Sequence, residues 1–153
     1  MQSDMQQNAR QERTIPMSIY VNEVSKLFFD RMHQELEVIG VKKGYHHILM
    51  HLSRKDGKSQ LELTKDTHFR ASTISVALQK MEQEGLVERK ADAKDARQVN
   101  VFLTEKGRAL DELVREQFGK MEQVLLQGFS KAEEETLKTL LIKMRNNIHE
   151  TDT

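Results

Sequence analysis

Cysteine is absent from the 153-residue chain, which excludes a disulfide framework, thiolate zinc sites and any sensing chemistry that begins with a thiol. Proline occurs once, at Pro16, and aromatic residues are 5% of the chain, whereas charged residues are 31%. That balance favours a mostly helical protein with solvated helix faces. There is no excess of either charge, since Lys+Arg and Asp+Glu both number 24. Composition therefore gives no reason to propose nucleic acid, and any such argument has to be local. Long hydrophobic runs are missing too. The longest, such as Ile48-Leu49-Met50, fall far short of the roughly 20 apolar residues a membrane span requires. The start, Met1-Gln2-Ser3-Asp4, carries no apolar signal region. These absences predict a cytoplasmic protein with no membrane partner. No G-x-S-x-G turn, H-E-x-x-H pair or phosphate-cradling glycine loop occurs, so the chain is not read as an enzyme and no cofactor is expected.

What is present is helical punctuation. The stretch from Met1 to Arg13 is polar and without periodicity, and reads as a disordered N-terminal arm (1–13). A single domain is expected to follow, 14–153. Thr14 is placed to cap a first long helix with Pro16 in its first turn, and apolar residues recur at helical spacing from Ile19 to Ile39, before Gly40. Tyr45, Ile48, Leu49 and Leu52 mark a second helix. Ser59 and Glu62 form an S-x-x-E capping box opening a short third helix. After a tight turn near His68 to Ser72, Ile74, Ala77, Leu78 and Met81 mark a fourth, over 71–84, closed by Gly85. Two short helices joined by a tight turn predict a helix-turn-helix.

Beyond Gly85 the period changes. Leu86 to Arg89 and Val99 to Leu103 read as the two strands of a β-hairpin, with Asp92 to Arg97 as its exposed tip. Thr104 caps a second long helix running to Gly128, and a second S-x-x-E box, Ser130 and Glu133, opens a last one. The predicted order is ααααββαα, a mainly α, α+β winged-helix fold.

The second helix of a helix-turn-helix sits in the major groove, where base edges carry a distinct hydrogen-bonding code. With Ile74, Ala77, Leu78 and Met81 inward, the outward residues are Ser72, Thr73, Ser75, Val76, Gln79 and Lys80. Serine and threonine bond several bases, glutamine pairs bidentate with adenine, and a valine can meet a thymine methyl. Ser59, Gln60 and Arg70, at the starts of the two helices, complete the expected DNA set on that side. The hairpin adds Arg89 at its base and Lys94 and Arg97 at its tip, where an arginine on a thin ribbon can enter a narrow minor groove. Asp95 is read as holding the loop's shape. From Arg54 to Lys106 eleven basic residues face nine acids, a small local excess that matters only if it lies on one face.

The stretch Ser72-Thr73-Ile74-Ser75, Leu78, Met81-Glu82, Gly85-Leu86-Val87-Glu88-Arg89, Asp95-Ala96-Arg97, Val101 and Leu103-Thr104-Glu105-Lys106-Gly107 resembles the MarR family of transcriptional regulators. The resemblance runs from about Val24 into the C-terminal helix. It implies a homodimer with interleaved first and last helices, two winged lobes set for a palindromic operator in double-stranded DNA, and repression relieved by a small-molecule effector. It carries over Arg97 as a minor-groove contact. Many members have a basic residue where this chain has Val76, so base contacts at that point do not transfer. Family mechanisms of oxidant sensing through cysteine cannot operate here.

The apolar positions of the terminal helices exceed what one small lobe can cover, so a symmetric pairing is expected. On this reading 44–104 is the DNA-binding lobe, and 14–40 with 105–150 are dimerisation helices. Relatives hold ligands between those helices and the lobe, which implies a ligand set of Phe28, Met32, His33, Tyr45, His47, Met50 and His51, suited to an apolar or aromatic molecule. His47 and His51, at i and i+4, also allow a metal-responsive regulator of the same fold, with His33 or His46 assisting, although no metal site is assigned. The remaining alternative is a winged-helix scaffold for protein contacts that does not bind DNA.

Overall fold

The computed structural model describes residues 15–92 and 98–150. The arm 1–13, Thr14 and the wing-tip residues Lys94, Asp95 and Arg97 lie outside the described residues. Among the described residues the elements run α1 (Met17–Val38), α2 (Tyr45–Arg54), β1 (Lys58–Ser59), α3 (Gln60–Thr67), α4 (Ala71–Gln83), β2 (Val87–Ala91), β3 (Val99–Leu103), α5 (Glu105–Leu125) and α6 (Lys131–Glu150). This is a winged helix. Relative to the predicted order one strand is added, and Pro16 stands at the N-cap of α1 rather than inside its first turn.

The added strand is β1. It pairs antiparallel with β3, which pairs antiparallel with β2, so the sheet order is β1-β3-β2 with Lys58 opposite Val101 and Arg89 opposite Val101 on the other side. Asp56 secures the junction. Its Oδ1 accepts from the backbone N–H of Leu103 at 2.9 Å, and its other oxygen pairs with Arg108 at the start of α5. One carboxylate thus ties the loop before β1 to the end of the wing strand and to the following helix.

The chain forms two compact units, the first running to Phe118 and the second beginning at Gly119. The core of the first unit is aliphatic. Ile48, Leu49, Leu52, Leu63, Ile74, Leu78 and Met81 have no exposed surface, and Val101 and Leu103 close them from the sheet. Val99, at the far end of β3, is 45% exposed, because the hairpin has by then run past the edge of the core. Leu61, two residues before buried Leu63 and so on the opposite face of α3, is likewise exposed.

Two glycines are dictated by geometry. Gly85, at φ +70°, ends α4 in a Schellman turn, with Leu86 N–H donating to Met81 O at 2.8 Å and Gly85 N–H to Glu82 O at 3.0 Å. Gly107 lies where α5 crosses the start of β2, and a Cβ there would sit 2.0 Å from the Leu86 carbonyl oxygen. Any side chain would push the helix off the wing.

The second unit contrasts with this. Helix α6 has no buried residue, and Leu140, Leu141, Ile142 and Ile148 are exposed. Leu125, Leu126, Leu137, Leu141 and Ile142 line an open groove of about 700 Å³ within the unit. No helix among the described residues is long and apolar enough to cross a membrane.

Candidate nucleic-acid interface

The interface is built from the start of α3. Ser59 and Glu62 form the expected reciprocal box: Glu62 Oε2 accepts from Ser59 N–H at 2.7 Å, and Ser59 Oγ accepts from Glu62 N–H at 3.2 Å. The hydrogen bonds that Ser59 gives the ionised carboxylate, first from its backbone N–H and then from its side chain, hold Glu62 below the usual carboxyl pKa. The turn to α4 is made by His68 in the left-handed region, φ 56°. Beside it Thr67 Oγ1 donates to Leu63 O at 2.7 Å, which satisfies a buried hydroxyl and locks the end of α3. Arg70 then takes the extended N-cap position of α4.

Helix α4 is two-faced. Ile74, Leu78 and Met81 are fully buried, while Ser72, Thr73, Val76, Gln79 and Lys80 are exposed and Ser75 is half-buried. Val76 is 52% exposed, so a branched apolar group stands among short polar ones on this face. Among the described residues, neither Arg70 nor Lys80 makes an ion pair, which leaves both cations available to phosphate. Ser59 and Gln60 are half-buried at the start of α3.

The base of the wing is less free than the sequence suggests. Arg89 Nε lies 3.3 Å from Glu82 Oε2, close enough for an ion pair although not aligned as a hydrogen bond. Lys90 pairs with Glu88 at 2.6 Å and lies over the Phe102 ring at 5.3 Å. The cations at the hairpin base are thus partly spent inside the lobe, Arg89 bracing the wing strand against α4.

The seven residues of the expected ligand set do not form one wall. Phe28 lies near Phe118, with ring centroids 6.2 Å apart, and His33 lies 6.2 Å from His46. His47 stacks on His46 at 3.9 Å and meets Phe69 edge-on at 4.9 Å. Tyr45 is buried with its hydroxyl donating to Glu84 at 3.3 Å, and His51 turns its Nδ1 toward Asp66 at 3.9 Å. Met32 is buried in the core and Met50 is exposed. The residue at the centre of the cluster is His46, which spacing alone left outside the ligand set. It is 5% exposed, and neither ring nitrogen has a hydrogen-bond partner among the described residues. Burial, then the neighbouring His47 and His33, push its pKa down to about 4, so the ring is neutral at pH 7. Phe69 and Phe118 join the cluster through contacts made across elements, which leave no periodic trace in the sequence. The metal pairing of His47 with His51 is divided between Phe69 and Asp66, and among the described residues no group of three His, Asp or Glu is arranged to hold an ion.

Comparison with known proteins agrees with this architecture. Residues 39–98 match the MarR family model. Over those residues the chain is similar to the MarR family. An uncharacterised HTH-type transcriptional regulator of Bacillus subtilis, YybA, is 27% identical over 114 residues, covering 74% of this chain and 76% of its own. The HTH-type transcriptional regulator BilQ of Clostridium symbiosum is 28% identical over 110 residues, covering 72% of this chain and 76% of its own. Among solved structures, S. aureus MepR in complex with DNA is 29% identical and superposes with a TM-score of 0.73, covering 87% of this chain and 96% of that one. E. coli MarR, at 24% identity and a TM-score of 0.76 over 85% of this chain and 96% of its own, shares the fold. The MarR-family match takes in the whole of α4.

Proposed function

We propose that this chain is a sequence-specific transcriptional regulator that binds double-stranded DNA as a homodimer on a palindromic operator and is released by a small-molecule effector. One observation carries the reading. Helix α4 presents Ser72, Thr73, Val76, Gln79 and Lys80 outward over a core layer with no exposed surface, next to a two-stranded wing. Helix α4 enters the major groove. Gln79 and the serines read base edges, Val76 meets a methyl, Arg70 and Lys80 contact phosphate, and Ser59 and Gln60 place the start of α3 on the backbone. Lys94 and Arg97, with Asp95 shaping the loop, carry the wing into the minor groove.

The dimer rests on the exposed apolar residues of the long helices, including Ile19, Val24 and Leu27 on α1 and Leu140, Leu141 and Ile148 on α6. Such faces cost free energy in water and are covered by pairing. Two-fold pairing places the half-sites roughly 34–36 Å apart, one helical turn of DNA. A regulator needs only about 2.7 kcal/mol of coupling for an effector to weaken DNA binding a hundredfold. The aromatic and imidazole cluster around His46, Phe28 and Phe118 is the soft lining such an effector would meet.

Selection of bound duplexes from a random pool tests the reading. An enriched inverted repeat, with affinity falling steeply as salt is raised, is expected. Arg97→Ala should weaken binding to the enriched sequence. No enrichment at low ionic strength would leave the fold as a scaffold for protein contacts.

A further inference from the structure

Glu84 is an oddly placed carboxylate. It caps the carboxyl end of α4, where the helix dipole disfavours negative charge, and a residue that breaks a local rule is explained by what it does elsewhere. Three elements converge on it. Lys42, in the turn between α1 and α2, pairs with its carboxylate. Tyr45, at the start of α2, donates its hydroxyl to the same Oε1 at 3.3 Å. Lys106, in the first turn of α5, donates to the Glu84 backbone oxygen at 2.8 Å. The carboxyl end of α4 is therefore tied to α2 and the turn that precedes it, and to α5, through one residue.

We infer that Glu84 is a positioning residue for DNA reading: with Lys42 and Tyr45 it sets the angle at which α4 is presented to the groove. The inference rests on the reading that α4 is the groove helix. The tie is also breakable. The Lys42 side chain is 58% exposed and that of Glu84 32%, and an ion pair so placed contributes little to stability, so breaking it leaves the lobe folded. Lys42 also borders a cavity of about 240 Å³ with His33, Leu36, Val41, Lys43 and His46. An occupant that drew the ammonium inward would release the end of α4. Burial, aided by Glu84, pushes the Tyr45 phenol up to about 12, which gives the tie a spectroscopic signature.

The test uses the full chain on its selected duplex. Glu84→Gln and Lys42→Met should each lower affinity roughly tenfold, the double variant should be no worse than either, and the reversed pair of Lys42→Glu with Glu84→Lys should recover most of the loss. The salt slope should not change, because neither group touches phosphate. In a Tyr20→Phe background, Glu84→Gln should move the ultraviolet titration of Tyr45 downward. Should a variant lose its folded circular-dichroism signal, Tyr45→Phe, which keeps the ring, supplies the second measurement and should weaken binding in the same direction. Affinities within twofold of the parent, additive losses or an unmoved tyrosine titration would overturn the inference. Failure of the parent itself to bind any duplex would instead refute the reading beneath it.

Discussion

The winged-helix lobe and the C-terminal helix are opposites built from similar residues. In the lobe, leucines and isoleucines at helical spacing are sealed completely, as in Leu63, Ile74 and Leu78; in α6, the same residue types at the same spacing, such as Leu140 and Leu141, stay about half exposed. Periodicity is therefore evidence that a face seeks cover, and says nothing about what covers it. The lobe covers its own face. The face of α6 is complete only when something else supplies the other side.

The sharpest way to break that contrast is to cut the same side-chain type in both places. Leu78→Ala should cost about 2–5 kcal/mol, as buried leucine truncations do, and should abolish DNA binding at working temperature; calorimetry or denaturant unfolding measures it. A loss under 1 kcal/mol would mean the core beneath α4 is not what holds the helix.

The second effect is smaller and depends on pH. His46 is neutral in the fold, its pKa lowered from 6.5 to about 4, while the unfolded chain protonates it near 6.5. The unfolded state thus gains a proton that the folded state refuses. Stability from this group is complete above pH 6.5 and falls progressively down to about pH 4, by roughly 3 kcal/mol at most. The lowered pKa of His47 acts with the same sign. Replacing the ring, His46→Phe, should flatten the slope of unfolding free energy against pH. An unchanged slope would place the acid sensitivity elsewhere.

A third change tests the entry to the helix-turn-helix. Ser59→Ala removes one half of the capping box and should cost about 1 kcal/mol, read as a lower unfolding midpoint. Smallest in stability is Leu140→Glu on α6. If that face were solvated its effect would stay within about 0.5 kcal/mol and the mass in sedimentation would not change. The present account expects the same small effect on lobe unfolding but a shift from dimer to monomer.

Much of this is legible in the sequence. The helix ends were written in local chemistry: the Ser59–Glu62 and Ser130–Glu133 boxes, the Thr104 cap and the Gly85 stop all form as spacing predicts. The outward face of α4 follows from its inward one. Strand β1 was not legible, because two residues cannot show alternation and it exists only through pairing with Val101 and Asn100. The ion pairs of Arg89 and Lys90 escaped for a related reason, since a basic residue on a strand looks the same whether it faces phosphate or Glu82. The gathering of His33, His46, Phe69 and Phe118 escaped too, because it joins helices far apart in sequence.

The claim on which the account turns is that the outward face of α4 reads bases. The direct measurement is to repeat the random-pool selection with Gln79→Ala alongside the parent chain. The account predicts that the parent enriches an inverted repeat and that the variant relaxes the preference at one position in each half-site, leaving the others and the salt slope intact. Identical preferences for both chains, or a uniform weakening at every position, would contradict it.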